Sequence, residues 1–209
     1  MRLTGQLDFF FYCGWSSCCR PFVRQNCSQL NRYAAPGAFR RLMRCFHAAV
    51  VEVLVSVRVL FVCLGNICRS PMAEAVFQQM VNEAGLARLI AVDSAGIGAW
   101  HAGEKAHPGT RRILAAHNIA YQGRARQITA ADMADPHTYV VAMDNENMDD
   151  LRRRFGDHPR LYRLLDFATE TDRREVPDPY YTGKFDLVYR LVVDGCQGLL
   201  AKVRADAGI

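Results

Sequence analysis

The chain carries the stretch VLFVCLGNICRSPMAE at residues 59–74. It opens with an apolar run typical of a buried β-strand, which delivers Cys63 to the start of a short loop. The loop ends at Arg69 and Ser70, and Pro71 follows, a residue that favours the first helical position. We therefore predict a strand, a tight loop and a helix N-terminus. Backbone N–H groups and the helix dipole at such a junction favour the binding of an anion.

The side chains of this loop predict phosphoryl transfer. A thiol near a helix N-terminus ionises more readily than a free thiol, so Cys63 is the candidate nucleophile. Arg69 can direct two N–H donors to phosphate oxygens, and the Ser70 hydroxyl is placed to hydrogen-bond the thiolate. Cys18 and Arg24 have the same spacing, but no strand precedes them and no glycine lies between them. We interpret that second pair as coincidence.

The stretch at residues 59–74 resembles the signature of the low-molecular-weight protein tyrosine phosphatases. Further segments resemble that family in the same order: VDSAG at 92–96, RARQIT at 124–129, VVAMD at 140–144 and PDPY at 177–180. The likeness extends from about residue 58 to about residue 203. It implies a phosphotyrosine phosphatase that uses no cofactor and no metal, and the six histidines show no metal-ligand spacing.

The alternation of strand and helix predicts an α/β fold. Strands are expected at residues 59–63, 89–94, 139–143 and 161–167. Helices are expected from Pro71, at 108–118, from Met148 through Phe155, and at 184–204. This order favours an open, doubly wound, mostly parallel four-stranded sheet with helices on both faces, and the resemblance implies the flavodoxin-like, phosphotyrosine phosphatase I-like version of it. Arg152, Arg153 and Arg154 are interpreted as a solvated helix face.

The resemblance also implies the other residues of the site. The phosphate-binding loop and its support comprise, besides the nucleophile and the arginine, Leu64, Gly65, Asn66, Ile67, Cys68, Ser70 and Ser94. Asn66 is expected to contact Ser70 and Ser94. Trp100 is expected on one wall of the substrate cleft, with Tyr180 and Tyr181 on the opposite wall. A slot between aromatic rings accepts a flat phenyl phosphate.

A leaving phenolate needs a proton, so a general acid must accompany the thiol. Asp178 stands between Pro177 and Pro179, in a loop stiff enough to aim a carboxylate. An Asp-Pro pair is otherwise typical of a turn, and the resemblance identifies Asp178 as the acid and as the base that later activates water. Asp144 is either the N-cap of the following helix or a support of the loop.

Three other functions remain as alternatives. Related protein-arginine phosphatases carry Thr at the position of Ile67, so this bulkier apolar side chain favours phosphotyrosine. Related arsenate reductases use two further downstream cysteines, whereas here only Cys196 follows Cys68, at a predicted core position. A non-catalytic phosphoresidue-binding module would be expected to have lost Cys63 or Asp178. The expected partner is a phosphotyrosine-containing protein substrate, and a tyrosine kinase is a second candidate.

Cys68 shares the loop with the nucleophile, and readily ionised thiols are readily oxidised. We hypothesise a Cys63–Cys68 disulfide that protects the nucleophile from overoxidation and stops activity reversibly. The alternative is that Cys68 is only a small buried side chain. A thiolate nucleophile requires a reducing compartment, which favours the cytoplasm.

Residues 1–56 have no counterpart in the family, and they differ in composition from the rest of the 209-residue chain. Residues 1–57 hold seven Arg and two acidic residues, whereas the remainder is neutral, so the net charge of +5 gives no indication of nucleic-acid binding by the domain. Five of the eight cysteines also lie there. We expect a phosphatase domain at 57–205 and an N-terminal extension that is a leader, a targeting segment or a misassigned start. Glu52 and Arg58 interrupt the apolar residues around them, so no membrane span is expected.

Overall fold

The computed structural model describes residues 57–209, which form one four-stranded sheet with helices. The strands are β1 (Val57–Cys63), β2 (Ile90–Gly96), β3 (Tyr139–Ala142) and β4 (Leu161–Arg163). Every neighbouring pair is parallel, and the strand order is β2-β1-β3-β4. The predicted doubly wound parallel sheet is therefore confirmed. The extension at 1–56 and the Cys18–Arg24 pair lie outside the described residues.

Strand β1 is central and buried on both faces, which explains its almost continuous apolar sequence. Successive side chains of a strand point to opposite faces. Val59 and Phe61 therefore belong to one core cluster, whereas Leu60 and Val62 belong to the other. The carboxyl end of this strand is where Cys63 leaves the sheet.

The helices cover the two faces unequally. They are α1 (Arg69–Glu83), α2 (Pro108–Ala116), α3 (Ala130–Met133), α4 (Asn145–Phe155), α5 (Pro179–Thr182) and α6 (Phe185–Ala207). Apolar residues of α1, α2 and α6 share the larger cluster with Phe61, whereas Met148 and Leu151 of α4 share the smaller one with Leu60. Among residues 57–209, no helix combines the length and the apolar character that crossing a membrane requires.

Some predicted boundaries were wrong. Helix α1 begins at Arg69 rather than at Pro71, so the arginine already belongs to the first helical turn. The fourth strand ends at Arg163, and a 3-10 helix follows at Leu164–Asp166. Leu164 is fully buried and packs against α6, where a Cβ added to Gly195 would lie 2.7 Å from Leu164 Cγ. The apolar residues after Arg163 are therefore buried as part of a 3-10 turn and not as a continuation of the strand.

Candidate active site

The Cys63 thiol lies at the bottom of the loop that joins β1 to α1. Its Sγ is 3.1 Å from Ser70 Oγ and accepts a hydrogen bond from the Asn66 N–H at 3.3 Å. The residue is 3% exposed, so a substrate must enter a recess to reach it. Helix α1 starts within this loop, and its first N–H groups are the donors that lack partners inside the helix.

Asn66 connects the loop to two neighbouring segments. Its Nδ2 donates to Ser70 Oγ at 2.9 Å and to Ser94 Oγ at 2.8 Å, the two contacts that the resemblance implies. Its Oδ1 accepts from the backbone N–H of Arg126 at 2.9 Å. The backbone of Asn66 has φ 55°, a left-handed conformation that asparagine adopts more readily than most residues. Four bonds, counting its own N–H to the thiol, thus hold this turn.

Gly96 allows the loop to approach the end of β2. A Cβ at this position would lie 3.0 Å from the carbonyl carbon of Gly65 and 3.1 Å from Asn66 Cβ. Gly96 pairs with Cys63 across β1 and β2, so the close approach occurs directly beside the nucleophile.

A half-buried carboxylate, that of Glu74, extends the hydrogen-bond chain away from the thiol. Ser94 Oγ donates to Glu74 Oε2 at 2.6 Å, and the Tyr121 hydroxyl donates to the same oxygen at 2.7 Å. Burial raises the pKa of Glu74, although the bonds from Ser94 and Tyr121 oppose that rise. Sequence reasoning missed both Glu74 and Tyr121, because nothing in their spacing indicates that they meet.

An ionic cluster fixes the segment that carries the Arg126 N–H. Arg126 contacts Asp132 at 2.9 Å and Asp93 at 2.8 Å, and Arg58 contacts the same two carboxylates at 2.8 Å and 3.0 Å. Burial opposes the charge on Asp132, but hydrogen bonds from Arg126, Thr129 and Arg58 outweigh it and hold the pKa of that carboxyl well below its usual range. This cluster was also missed at the level of sequence.

Arg69 is 4% exposed and is held by two carboxylates and one carbonyl. Its Nη1 donates to Asp144 and, at 3.2 Å, to the Val176 carbonyl, and its Nη2 donates to Asp178 at 2.9 Å. Burial opposes the guanidinium charge, but Cys63, Asp178 and Asp144 outweigh it and raise the pKa of Arg69. Among the described residues, none accepts a hydrogen bond from the buried Nε, so this donor is available to a phosphate oxygen.

The two aspartates beside this arginine each cap a helix as well. Asp144 Oδ1 accepts from Asn147 N–H at 2.7 Å at the start of α4, while its other oxygen contacts Arg69. The two roles left open for Asp144 are therefore both present. Asp178 Oδ1 accepts from Tyr180 N–H at 3.0 Å at the start of α5, and its Oδ2 faces the guanidinium. The caps fix the direction of both carboxylates.

A cleft of about 350 Å³ opens above the thiol. It is lined by Cys63, Leu64, Gly65, Ile67, Cys68, Arg69, Trp100, His101, Asp178, Tyr180 and Tyr181. Trp100, Tyr180 and Tyr181 are the large apolar side chains that stand exposed at its mouth, 71%, 55% and 80% respectively. The structure thus brings the expected nucleophile, arginine, acid and aromatic walls to one recess. His101 is a lining residue that the sequence did not indicate.

The other two described cysteines differ from the nucleophile. Burial, together with the nearby negative charges of Asp178 and Cys63, raises the pKa of Cys68 to about 12. Cys196 is fully buried in α6, as predicted, and burial raises its pKa well above the usual range. All three described cysteines are free thiols. Within residues 57–209, no group of His, Cys, Asp and Glu side chains is placed to hold a metal ion.

Comparison with known proteins places this site in one family. Residues 58–208 match the family described as low molecular weight phosphotyrosine protein phosphatase. The Bacillus subtilis low molecular weight protein-tyrosine-phosphatase YfkJ is 47% identical over 153 residues, which cover 72% of this chain and 97% of YfkJ. The crystal structure of YfkJ matches with a TM-score of 0.69, covering 72% of this chain and 96% of that one.

Two further relatives show the range of the similarity. The Staphylococcus aureus low molecular weight protein-tyrosine-phosphatase PtpA is 41% identical over 157 residues, which cover 73% of this chain and 97% of PtpA. The crystal structure of DARP, the drosophila arginine phosphatase, is 30% identical and has a TM-score of 0.64, covering 70% of this chain and 97% of that one.

Proposed function

Because this chain belongs to the low molecular weight phosphotyrosine protein phosphatase family, we propose that it hydrolyses phosphotyrosine in proteins through a phosphocysteine intermediate on Cys63. One observation carries the proposal. The thiol, the Arg69 guanidinium and the Asp178 carboxylate all face one cleft of about 350 Å³ with aromatic side chains at its mouth. Such an arrangement supplies a nucleophile, an anion clamp and a proton donor to one phosphate group.

The first step transfers the phosphoryl group to sulfur. The Cys63 thiolate attacks phosphorus, the S–P bond forms, and the bond from phosphorus to the tyrosine oxygen breaks. Arg69 and the loop N–H groups stabilise the equatorial oxygens, with Nε of the arginine as an available donor. Protonated Asp178 gives its proton to the departing phenolate, so tyrosine leaves neutral.

The second step regenerates the enzyme. Asp178, now a carboxylate, accepts a proton from water as the water oxygen attacks phosphorus. The P–S bond breaks and its electron pair returns to Cys63. The Ser70 hydroxyl lies 3.1 Å from that sulfur and stabilises the departing thiolate. Inorganic phosphate is the product.

The cleft favours an aryl phosphate. Trp100, Tyr180 and Tyr181 line it and offer ring faces and edges to a phenyl group. Ile67 lines the same cleft with an apolar side chain, which suits a phenyl ring better than a guanidinium. The similarity to the drosophila arginine phosphatase makes phosphoarginine the substrate against which this preference is measured. The arsenate reductase reading is weaker, because Cys196 is buried in α6 and is absent from the cleft lining.

The remaining expectations extend this proposal. The catalytic domain spans residues 57–205, and the enzyme acts in the cytoplasm, where a reducing environment preserves the thiolate. Its substrate is a phosphotyrosine-containing protein, and a tyrosine kinase is one such candidate. The Cys63–Cys68 disulfide belongs to the same proposal, since both thiols line one cleft.

The test compares wild type with Cys63→Ser on p-nitrophenyl phosphate. We expect the wild type to hydrolyse it and the serine variant to be inactive, because an alcohol is a far weaker nucleophile than a thiolate. Full activity of the variant would exclude the phosphocysteine route. Measuring kcat/KM for phosphotyrosine, phosphoarginine and arsenate then ranks the substrate classes. A binding module that lacks catalysis would neither hydrolyse the two phosphorylated substrates nor reduce arsenate.

A further inference from the structure

A second groove, of about 590 Å³, adjoins the catalytic cleft at Trp100. Trp100 lines both spaces, so its indole ring is a shared wall. The rest of the groove comes from the loop after β2, from Gln127 and from Asp150, Arg153 and Arg154 of α4. A peptide whose phosphotyrosine occupies the cleft can therefore continue over the indole into this groove.

The wall between the two spaces is held in place by its own loop. The indole lies against Gly98, where an added Cβ would come within 1.8 Å of the ring. Arg154 Nη1 donates to the Ile97 carbonyl at 2.5 Å and so ties α4 to this loop. The groove is thus formed by two segments that are bonded to each other.

Two guanidinium groups and one carboxylate line this groove. Arg154 donates to the Ile97 carbonyl, whereas Arg153 is 74% exposed and, among the described residues, forms an ion pair only with Asp150, at 3.0 Å. Arg152, Arg153 and Arg154 are all exposed, as predicted for a solvated helix face, and Arg153 and Arg154 also line this groove. The excess of positive charge beside an apolar wall suits a carboxylate on a short aliphatic stem.

We propose that this groove binds an acidic side chain of the substrate, Asp or Glu, that flanks the phosphotyrosine, and that Arg153 is its main partner. The inference rests on the phosphotyrosine phosphatase activity proposed above. An extended chain advances roughly 3.3 Å per residue, so a side chain about two to four residues from the phosphotyrosine spans the width of the indole. The enzyme should therefore prefer substrates with Asp or Glu near the phosphotyrosine.

The test uses two phosphotyrosine peptides that differ only in having Glu or Gln at the flanking positions. Wild type is expected to show a kcat/KM about 2- to 5-fold higher for the Glu peptide at low ionic strength, the size typical of an exposed ion pair. The ratio should fall toward one in high salt, because salt screens exposed charges. Arg153→Ala should bring the ratio to about one, mainly through a higher KM for the Glu peptide.

Arg152→Ala is the matched control. Arg152 lies one residue away on the same helix and carries the same charge, but it faces Asp149 and Asp157 at 3.7 Å and does not line the groove. This variant should keep the wild-type ratio, so a loss caused only by net charge would affect both variants equally. Arg153→Glu should reverse the preference in favour of a peptide with flanking Lys.

The outcomes separate this inference from the activity on which it rests. Equal kcat/KM values of wild type for the Glu and Gln peptides, with both cleaved, would overturn the groove assignment and leave the phosphatase intact. An unchanged ratio in Arg153→Ala, or an equal loss in Arg152→Ala, would also overturn it. Failure to cleave either peptide or p-nitrophenyl phosphate would instead refute the activity itself.

Discussion

Asp178 Oδ2 lies 2.9 Å from Arg69 Nη2, so the proposed proton donor is paired with the proposed phosphate-binding group. The pair places the carboxyl at the edge of the cleft, directed by the helix α5 that it caps. Removing the carboxylate therefore affects two processes differently: proton transfer to the leaving group is lost, whereas the guanidinium becomes a better anion ligand. Kinetic measurements can separate these two effects.

We expect Asp178→Asn to lower kcat by about 10²- to 10⁴-fold, the usual contribution of a general acid. The loss should be larger for phenyl phosphate than for p-nitrophenyl phosphate. The p-nitrophenolate ion is a weaker base than phenolate, so its departure depends less on proton donation. Inhibition by inorganic phosphate should persist or strengthen, since one negative charge beside Arg69 is gone. The measurement is kcat for aryl phosphates of increasing leaving-group basicity. An equal loss for every leaving group would argue against proton donation by Asp178.

Asn66 should be needed for both stability and activity. Asn66→Ala removes side-chain bonds to Ser70, Ser94 and the Arg126 N–H, and it leaves a β-carbon at φ 55°. We expect the free energy of unfolding to fall by about 2–4 kcal/mol in urea denaturation, together with a lower kcat. Asn66→Gly is the control, because glycine accepts the backbone conformation but makes none of the bonds. If the glycine variant matched wild type, the hydrogen bonds would not matter.

The ionic cluster predicts a pH-dependent difference in stability. Asp132→Asn should lower the free energy of unfolding by about 1–3 kcal/mol at pH 7, because two partly exposed arginines lose a charged partner. The pKa of Asp132 is lowered in the folded protein, so its stabilisation is fully present above the ordinary value, about 3.9, and declines as the pH falls below that value. Urea denaturation at pH 7 and pH 3 should show the difference shrinking.

Asp157→Asn is the control for this cluster, since the Asp157 side chain is 94% exposed and its ion pair with Arg152 is long, at 3.7 Å. Its stability should stay close to that of the wild type at both values of pH. A constant penalty for Asp132→Asn across this range would contradict the electrostatic explanation.

Cys68 should protect the nucleophile from peroxide. Peroxide oxidises the Cys63 thiolate to a sulfenic acid, which condenses with the Cys68 thiol to a disulfide and water. Dithiothreitol should then restore the wild type but not Cys68→Ala, in which further oxidation proceeds. The pKa of Cys68 is raised to about 12, so its thiolate fraction, and hence the rate of disulfide formation, should rise between pH 7 and pH 10. Irreversible inactivation of the wild type by mild peroxide would refute the disulfide.

The sequence predicts what depends on contiguous residues. The contiguous residues 59–74 predict a strand that ends at Cys63, a short anion-binding loop and the start of a helix, and the structure has all three. It could not predict that Glu74 and Tyr121 meet Ser94, because those contacts join residues far apart in the chain and depend on how helices pack. The fourth strand was overextended because periodicity does not separate a buried turn at Leu164 from a buried strand.

Asp144 illustrates a different limit. Its position at the end of a strand indicates a helix N-cap, and one of its oxygens serves that purpose. The other oxygen reaches Arg69, which is remote in sequence but adjacent across the parallel strands β1 and β3. The position of Asp144 in the sequence therefore predicts its role as a helix N-cap, whereas its contact with Arg69 follows only from the order of the strands in the sheet.

The phosphate-binding loop lies at the bottom of the cleft and aromatic side chains stand at its mouth, which has a consequence for inhibitors. A compound that gains its affinity only from the loop N–H groups and Arg69 would be expected to inhibit other enzymes with the same cradle equally well. Further affinity would come from contacts with Trp100, Tyr180 and Tyr181, which stand exposed at the mouth of the cleft. A two-headed molecule that bridges the indole, with a phosphate mimic in the cleft and an anionic arm in the second groove, would add contacts with Arg153 to those with the phosphate-binding loop.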